Sequence, residues 1–119
     1  MSVSVAPISP DQFDILLQAF NQGYEGYIVP VHLEAEQLRG HIEGGSIDLS
    51  ASRMAYQDGA AVGMALLGIR ERRAWVGGVG VSPAMRGQGI GRLLMKALID
   101  AAREHGLDTV QLEVIQGNT

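Results

Sequence analysis

The sequence predicts an α+β fold of mixed α/β layers, built on a mostly antiparallel sheet that ends in one parallel pair of strands. Three observations predict it. Two apolar runs flank the dipeptide Asp58-Gly59, a strong hairpin signal. A strand over Ala74 to Val81 is followed by an amphipathic helix and one more strand, which gives a right-handed parallel crossover. Before these come two helical patterns with no strand between them, so a doubly wound sheet is not expected.

Each element has a local reason. Val3 and Val5 alternate among small residues and read as a first strand. "SPDQFDILLQAF" carries a helix start: Ser9 as N-cap, Pro10 at the first helical position, Asp11 in the first turn and Gln12 in the capping-box place. Phe13, Leu16, Leu17 and Phe20 then share one helical face and should be buried. "NQGYEGYIVPV" breaks the pattern with two glycines and a proline, a loop that displays Tyr24, Glu25 and Tyr27. Val31, Ala35, Leu38 and Ile42 return to helical spacing until Gly44 and Gly45 stop a second helix. "SRMAYQDGAAVGMALLGIR" supplies the hairpin, and "RERR" turns the chain into the third strand of the meander. From Gly89, the residues Ile90, Leu93, Leu94, Ala97, Leu98 and Ala101 fall on one face, and Arg92, Lys96, Asp100 and Arg103 on the other. Gly106 follows His105 as the helix-ending C′ glycine, and a last strand runs from 109 to 115.

With 119 residues the chain is expected to be one domain, 1–119, with one core and at most one cofactor site. Its most hydrophobic stretch, "AAVGMALLGI", is far shorter than the roughly 20 residues of a membrane span, and no secretory leader opens the chain. The absence of cysteine excludes disulfides, thiolate metal sites and cysteine nucleophiles. A cytoplasmic protein without a membrane partner is expected. The net charge of −4 argues against nucleic acid as a partner. That charge is uneven: residues 1–69 balance at −6 and residues 70–103 at +5, so an anion-attracting middle follows an acidic N-terminal part.

The middle is also rich in glycine, in "VGGVGVSPAMRGQGIGRLLM". A dinucleotide fingerprint fails, because the third glycine falls on Arg92 or Leu94, although Asp108 stands about where a ribose-binding acid would. A nucleotide P-loop fails for want of the lysine and the hydroxyl. What remains is a phosphate or pyrophosphate held by uncovered N–H groups at a helix N-terminus, with Arg86 and Arg92 as fixed positive charge. Gly78 and Gly80 on one face of the strand mark close approach, either of a ligand or of a neighbour such as Trp75, Met64 or the first helix. His32, His41 and His105 have no metal-ligand spacing and read as surface or capping residues, and no metal site is expected. Met54, Met64, Met85 and Met95 read as core filler. "RERR" reads as a solvated turn, with Arg72 or Arg73 within the alternatives for a ribose phosphate.

The segment "VSPAMRGQGIGRLLMKALIDAAREHGL" resembles motif A of the GNAT superfamily of acetyl-CoA-dependent N-acetyltransferases, whose signature [RQ]-x-x-G-x-[GA] stands here as Arg86, Gly87, Gln88, Gly89, Ile90 and Gly91. The V-x-P lead-in, the amphipathic helix, the "LEV" strand and the closing asparagine follow in the family's order, so the likeness covers essentially the whole chain. It implies a GNAT-like acyl-CoA N-acyltransferase fold with helices on both faces of the sheet, and a transferase that moves an acetyl group from acetyl-CoA to a primary amine of a small molecule or protein. The N–H groups of Arg86 to Gly91 would hold the pyrophosphate, with Arg92 one turn into the helix. Val79 and Val81 would pair their main chain with the pantetheine arm. Asn118 would sit near the sulfur end.

Two departures qualify what the resemblance implies. Family members frequently carry a general base on the strand before motif A, but "AWVGGVGV" has no carboxylate, which leaves Glu113 and Glu25 as the catalytic candidates. Tyr24, Glu25 and Tyr27 are the candidates for contacting the amine. The family also continues past this asparagine with a helix, which usually carries a tyrosine, and two strands, so this chain is expected to be a fragment of a longer protein. A homodimer would cover the last strand, and a non-catalytic acyl-CoA-binding or regulatory domain is the alternative function.

Overall fold

The computed structural model describes residues 3–25, 32–107 and 110–111. Tyr27, Val31, Asp108, Glu113 and Asn118, and the last strand beyond Gln111, lie outside the described residues. The elements run β1 (Val3–Pro7), α1 (Phe13–Gly23), α2 (Ala35–Gly44), β2 (Arg53–Gln57), β3 (Ala60–Arg70), β4 (Arg73–Val81), α3 (Ile90–Glu104) and β5 (Val110–Gln111). They form one sheet in the order β1-β2-β3-β4-β5. The first four strands are antiparallel, and β4 pairs with β5 in parallel through α3, so the α+β class and the parallel crossover stand as expected.

The sheet divides two cores. On one face α3 buries Ile90, Leu94, Leu98, Ala101 and Ala102 against Ala65, Leu67 and Ala74. On the other, α1 and α2 bury Leu16, Ala19, Phe20 and Leu38 against Met54, Met64 and Leu66. The two core methionines are thus filler, while Met85 and Met95 pack partly buried beside the α3 core.

Local signals set most boundaries. Pro10–Gln12 form a 3-10 turn, so the α-helix begins at Phe13, three residues later than the Pro10 start expected from the sequence. The capping-box glutamine still acts: Ser9 N donates to Gln12 Oε1 at 2.9 Å. The same device opens α2, where Glu34 N donates to Gln37 Oε1 at 2.8 Å. Asn21 near the end of α1 bonds both main-chain groups of Leu33, at 2.8 and 3.0 Å, and so fixes how the chain enters α2. Asp58 and Gly59 take φ values of +51° and +82°, the left-handed pair that a tight hairpin needs. Past His105, Gly106 N bonds Arg103 O and Leu107 N bonds Ala102 O, a Schellman closure that seats the Leu107 side chain in the core.

Ser52 is the buried polar residue among the described core positions, and both of its hydroxyl roles are used. Its Oγ donates to Asp48 O at 2.8 Å and accepts from Leu67 N at 2.9 Å, stitching the turn before β2 to the middle of β3. The Asp48 carboxylate accepts from the Ser50 hydroxyl and from the Ser50 and Ala51 N–H groups, which hold its pKa below the usual carboxylate value against a smaller opposing effect of burial. Ser52→Ala should leave the buried Leu67 N–H unpaired, while Asp48 O keeps the Ala51 and Ser52 N–H groups, and cost about 1–3 kcal/mol, read as a lower urea midpoint at unchanged slope. No helix among the described residues is long and apolar enough to cross a membrane.

Candidate functional site at the end of β4

β4 positions the candidate site, because among the described residues nothing pairs with the outer edge of its last part. Its register against β3 slips between Leu66 and Leu67, so Gly77 is the extra residue of a bulge. Beyond the bulge Val79 faces Ala65 and Val81 faces Gly63, while Ser82 N donates to Val62 O at 2.9 Å. Antiparallel ladders alternate, so Gly78 and Gly80 turn their N–H and C=O groups toward β3, and those of Val79 and Val81 point away from it. Among the described residues β5 covers that outer edge only at Ala74 and Trp75. The valine side chains themselves pack, half-buried, beneath α3.

The turn that follows is open. Pro83–Met85 form a 3-10 turn, and Arg86 N donates back to Pro83 O at 3.4 Å. Gly87 and Gly89 have φ of +80° and +82°, and a Cβ built on either would meet nothing within 4 Å. Backbone conformation, not crowding, calls for glycine here. The first bond of α3 runs from Leu93 N to Gly89 O, so the N–H groups of Ile90, Gly91 and Arg92 have no acceptor in their own helix. α1 and α2 place Asp14 and Glu36 in their first turns, whereas α3 has no acid there and carries Arg92. The positive end of its dipole is left for an anion. Ile90, buried under the turn, fixes the start of the helix, and Gln88 is exposed above it.

The other side of β4 is covered by α1. A Cβ on Gly80 would lie 2.7 Å from Gly23 Cα, and one on Gly78 would lie 3.3 Å from the Tyr24 hydroxyl and 3.4 Å from Phe20. The close approach that the strand glycines announced is therefore that of the first helix. Tyr24 is half-buried with its ring 4.8 Å from that of Phe20, so it packs along α1 and over β4. Glu25, next to it, is exposed.

The Arg86 side chain turns away from the glycine turn toward main-chain carbonyls of β4 and α1. Arg72 and Arg73 stand at the opposite end of β4, roughly 25 Å along the strand from the turn, which removes them from any ribose phosphate bound there and leaves "RERR" a solvated tip. His105 caps α3 through its Nδ1 at 2.9 Å from Ala101 O. His41, which the sequence assigned to the surface or a cap, is half-buried with its Nε2 at 2.7 Å from Gly77 O, so that nitrogen carries the proton and donates to the bulge. The His41 contact has no signal in sequence, because it joins residues far apart in the chain, whereas the strand glycines signalled a close approach without fixing that it is α1 that makes it.

The family model for the acetyltransferase (GNAT) family matches residues 10–119. Among solved structures, the PaiA N-acetyltransferase of Thermoplasma acidophilum in complex with coenzyme A superposes with a TM-score of 0.79 at 17% identity, over 100% of this chain and 83% of that one. A GNAT family acetyltransferase of Brucella melitensis in complex with acetyl-CoA gives 0.79 at 20% identity, over 98% of this chain and 78% of that one. No curated protein matches the chain. At these identities the structural likeness is one of fold, with helices on both faces of the same sheet.

Proposed function

The chain belongs to the acetyltransferase (GNAT) family, and on that footing we propose that it transfers an acetyl group from acetyl-CoA to a primary amine of a small molecule or a protein. The observation that carries this reading is the turn Gly87 to Gly89 opening α3, where N–H groups without a helical acceptor, a helix dipole and space clear of the described residues converge beside the outer edge of β4. That arrangement fits a pyrophosphate joined to an extended arm.

In this reading the N–H groups from Gly87 to Arg92 hold the pyrophosphate, and the Arg92 guanidinium adds charge at the rim. Arg86 belongs to the same motif, although its N–H already bonds Pro83 O. The outward main-chain groups of Val79 and Val81 add the pantetheine arm as if it were a strand, the Val81 carbonyl being shared with Arg86. Acetyl-CoA supplies a thioester carbonyl open to attack by a neutral amine. The protein's work is to align the two reactants and to offer a β4 N–H to the developing oxyanion. Tyr24 and Glu25 stand on the amine's side, joined in the proposal by Tyr27. Glu25 and Glu113 are the candidates for taking the amine's proton, and Asn118 for the sulfur end. A cytoplasmic location and a homodimer belong to the same proposal.

The test is to incubate the chain with acetyl-CoA and a panel of amines (polyamines, aminoglycosides, peptides with free N-termini or lysines), reading free thiol and the acceptor's mass. Thiol release that needs an acceptor, matched by an acceptor heavier by one acetyl group, is the expected result. Thiol release without any acetylated amine would contradict it.

A further inference from the structure

The guanidinium beside the glycine turn is committed elsewhere. Arg86 Nε donates to Val81 O at 3.0 Å, and one Nη donates to Gly23 O at 3.1 Å and to Glu25 O at 2.7 Å. A single planar group thus joins the last residue of β4 to two carbonyls at the C-terminal end of α1. Gly23 O is an acceptor that α1 itself leaves unused, and Glu25 O follows two residues beyond the helix, both at the negative end of its dipole, where a cation is favoured. The fork of an arginine can serve acceptors on two elements at once, which a lysine ammonium on its single stem does less well.

Tyr24 is the residue between the two α1 carbonyls. Its hydroxyl lies over Gly78, and its ring rests on Phe20. Arg86 is also the residue from which the turn Gly87-Gln88-Gly89 departs, so any shift of that turn passes directly into the clamp. We propose that Arg86 is a positioning residue that couples occupancy of the phosphate turn to the setting of Tyr24 over β4. Anion binding at the turn and the geometry of the amine's side are then linked through one side chain, and the linkage is reciprocal. The proposal rests on the acyl-CoA reading for the identity of the anion and for the assignment of Tyr24 to the amine's side.

Amide hydrogen exchange on the complete chain tests it, with and without CoA and, separately, inorganic pyrophosphate, in the natural protein, Arg86→Ala and Arg86→Lys. In the natural protein CoA should slow exchange at 87–93 and also at 20–25. In Arg86→Ala the ligand-free exchange at 20–25 should rise at least about tenfold, the scale of one charged hydrogen bond where two, to Gly23 O and Glu25 O, are lost. Protection by CoA at 87–93 should persist there while protection at 20–25 disappears, and Arg86→Lys should fall between. Equal protection of both segments in Arg86→Ala, or unchanged exchange at 20–25, would overturn the proposal. Should Arg86→Ala lose its far-ultraviolet circular dichroism, Arg86→Lys carries the test alone. Protection of both segments by pyrophosphate but not by CoA would overturn the acyl-CoA reading and leave the coupling standing. No protection of 87–93 by either probe would overturn both.

Discussion

Gly80→Ala is expected to destabilise the protein by about 3 kcal/mol or more, at the upper end of what overpacking a core costs. The new methyl would stand 2.7 Å from Gly23 Cα, 3.1 Å from its carbonyl carbon and 3.2 Å from its oxygen, all main-chain atoms that cannot rotate aside. Relief requires α1 to lift by about 1 Å to reach ordinary contact distance. That helix is held by the burial of Leu16 and Phe20 and by the Arg86 bond to Gly23 O, so lifting it loosens a whole core. Gly40→Ala provides the contrast: it lies exposed within α2 with nothing within 4 Å of the new Cβ. That change should stabilise by about 1 kcal/mol through helix propensity alone. Thermal and urea denaturation of the two variants should therefore move in opposite directions. A Gly80→Ala variant within about 1 kcal/mol of the natural protein would show that α1 does not cross β4 this closely.

Gly89→Asp is expected to weaken CoA binding by on the order of 100-fold or more while leaving the fold intact. A carboxylate about 5 Å from a phosphate at an effective dielectric near 20 opposes it by about 3 kcal/mol. The site accepts the side chain sterically, since nothing lies within 4 Å, and aspartate tolerates the left-handed conformation better than most residues. Gly89→Asn separates charge from backbone, as it keeps the shape and the conformational cost and removes the repulsion. It should lose less than about tenfold, the scale of 1 kcal/mol of left-handed strain. Calorimetric titration of the two variants decides between them. Equal losses in both would place the effect in the backbone and not in an anion at the turn.

What could be read in the sequence is what short-range chemistry dictates. Asp58-Gly59, Gly106 and the Ser9–Gln12 box name their own conformations, and the apolar spacing of Leu94, Leu98 and Ala101 names the buried face of α3. The glycine turn was legible too, because an αL backbone and an uncovered helix start are local properties. Gly78 and Gly80 were legible only as a close approach, of a ligand or of a neighbour such as the first helix, since only the fold brings Gly23 and Phe20 onto them from some sixty residues away. The same holds for Arg86, which its position beside the glycines suggested for phosphate charge and which the α1 terminus takes instead. His41 needed the bulge at Gly77, and a one-residue slip in register leaves no mark in composition. The start of α1 moved by a turn because a proline-led segment can close as 3-10 as readily as α.

The measurement that tests the central claim most directly is thermal denaturation of the natural chain titrated in parallel with acetyl-CoA, CoA and NADH. A ligand bound only by the folded state raises its melting temperature, by roughly 10 °C at 100 times its dissociation constant for a chain of this size. The account predicts such a rise with both CoA compounds and none with NADH, because the proposed function has the turn hold a pyrophosphate whose extended arm pairs with β4. A rise with NADH equal to that with CoA would contradict it by showing a phosphate site indifferent to the arm. No rise with either CoA compound would contradict it outright.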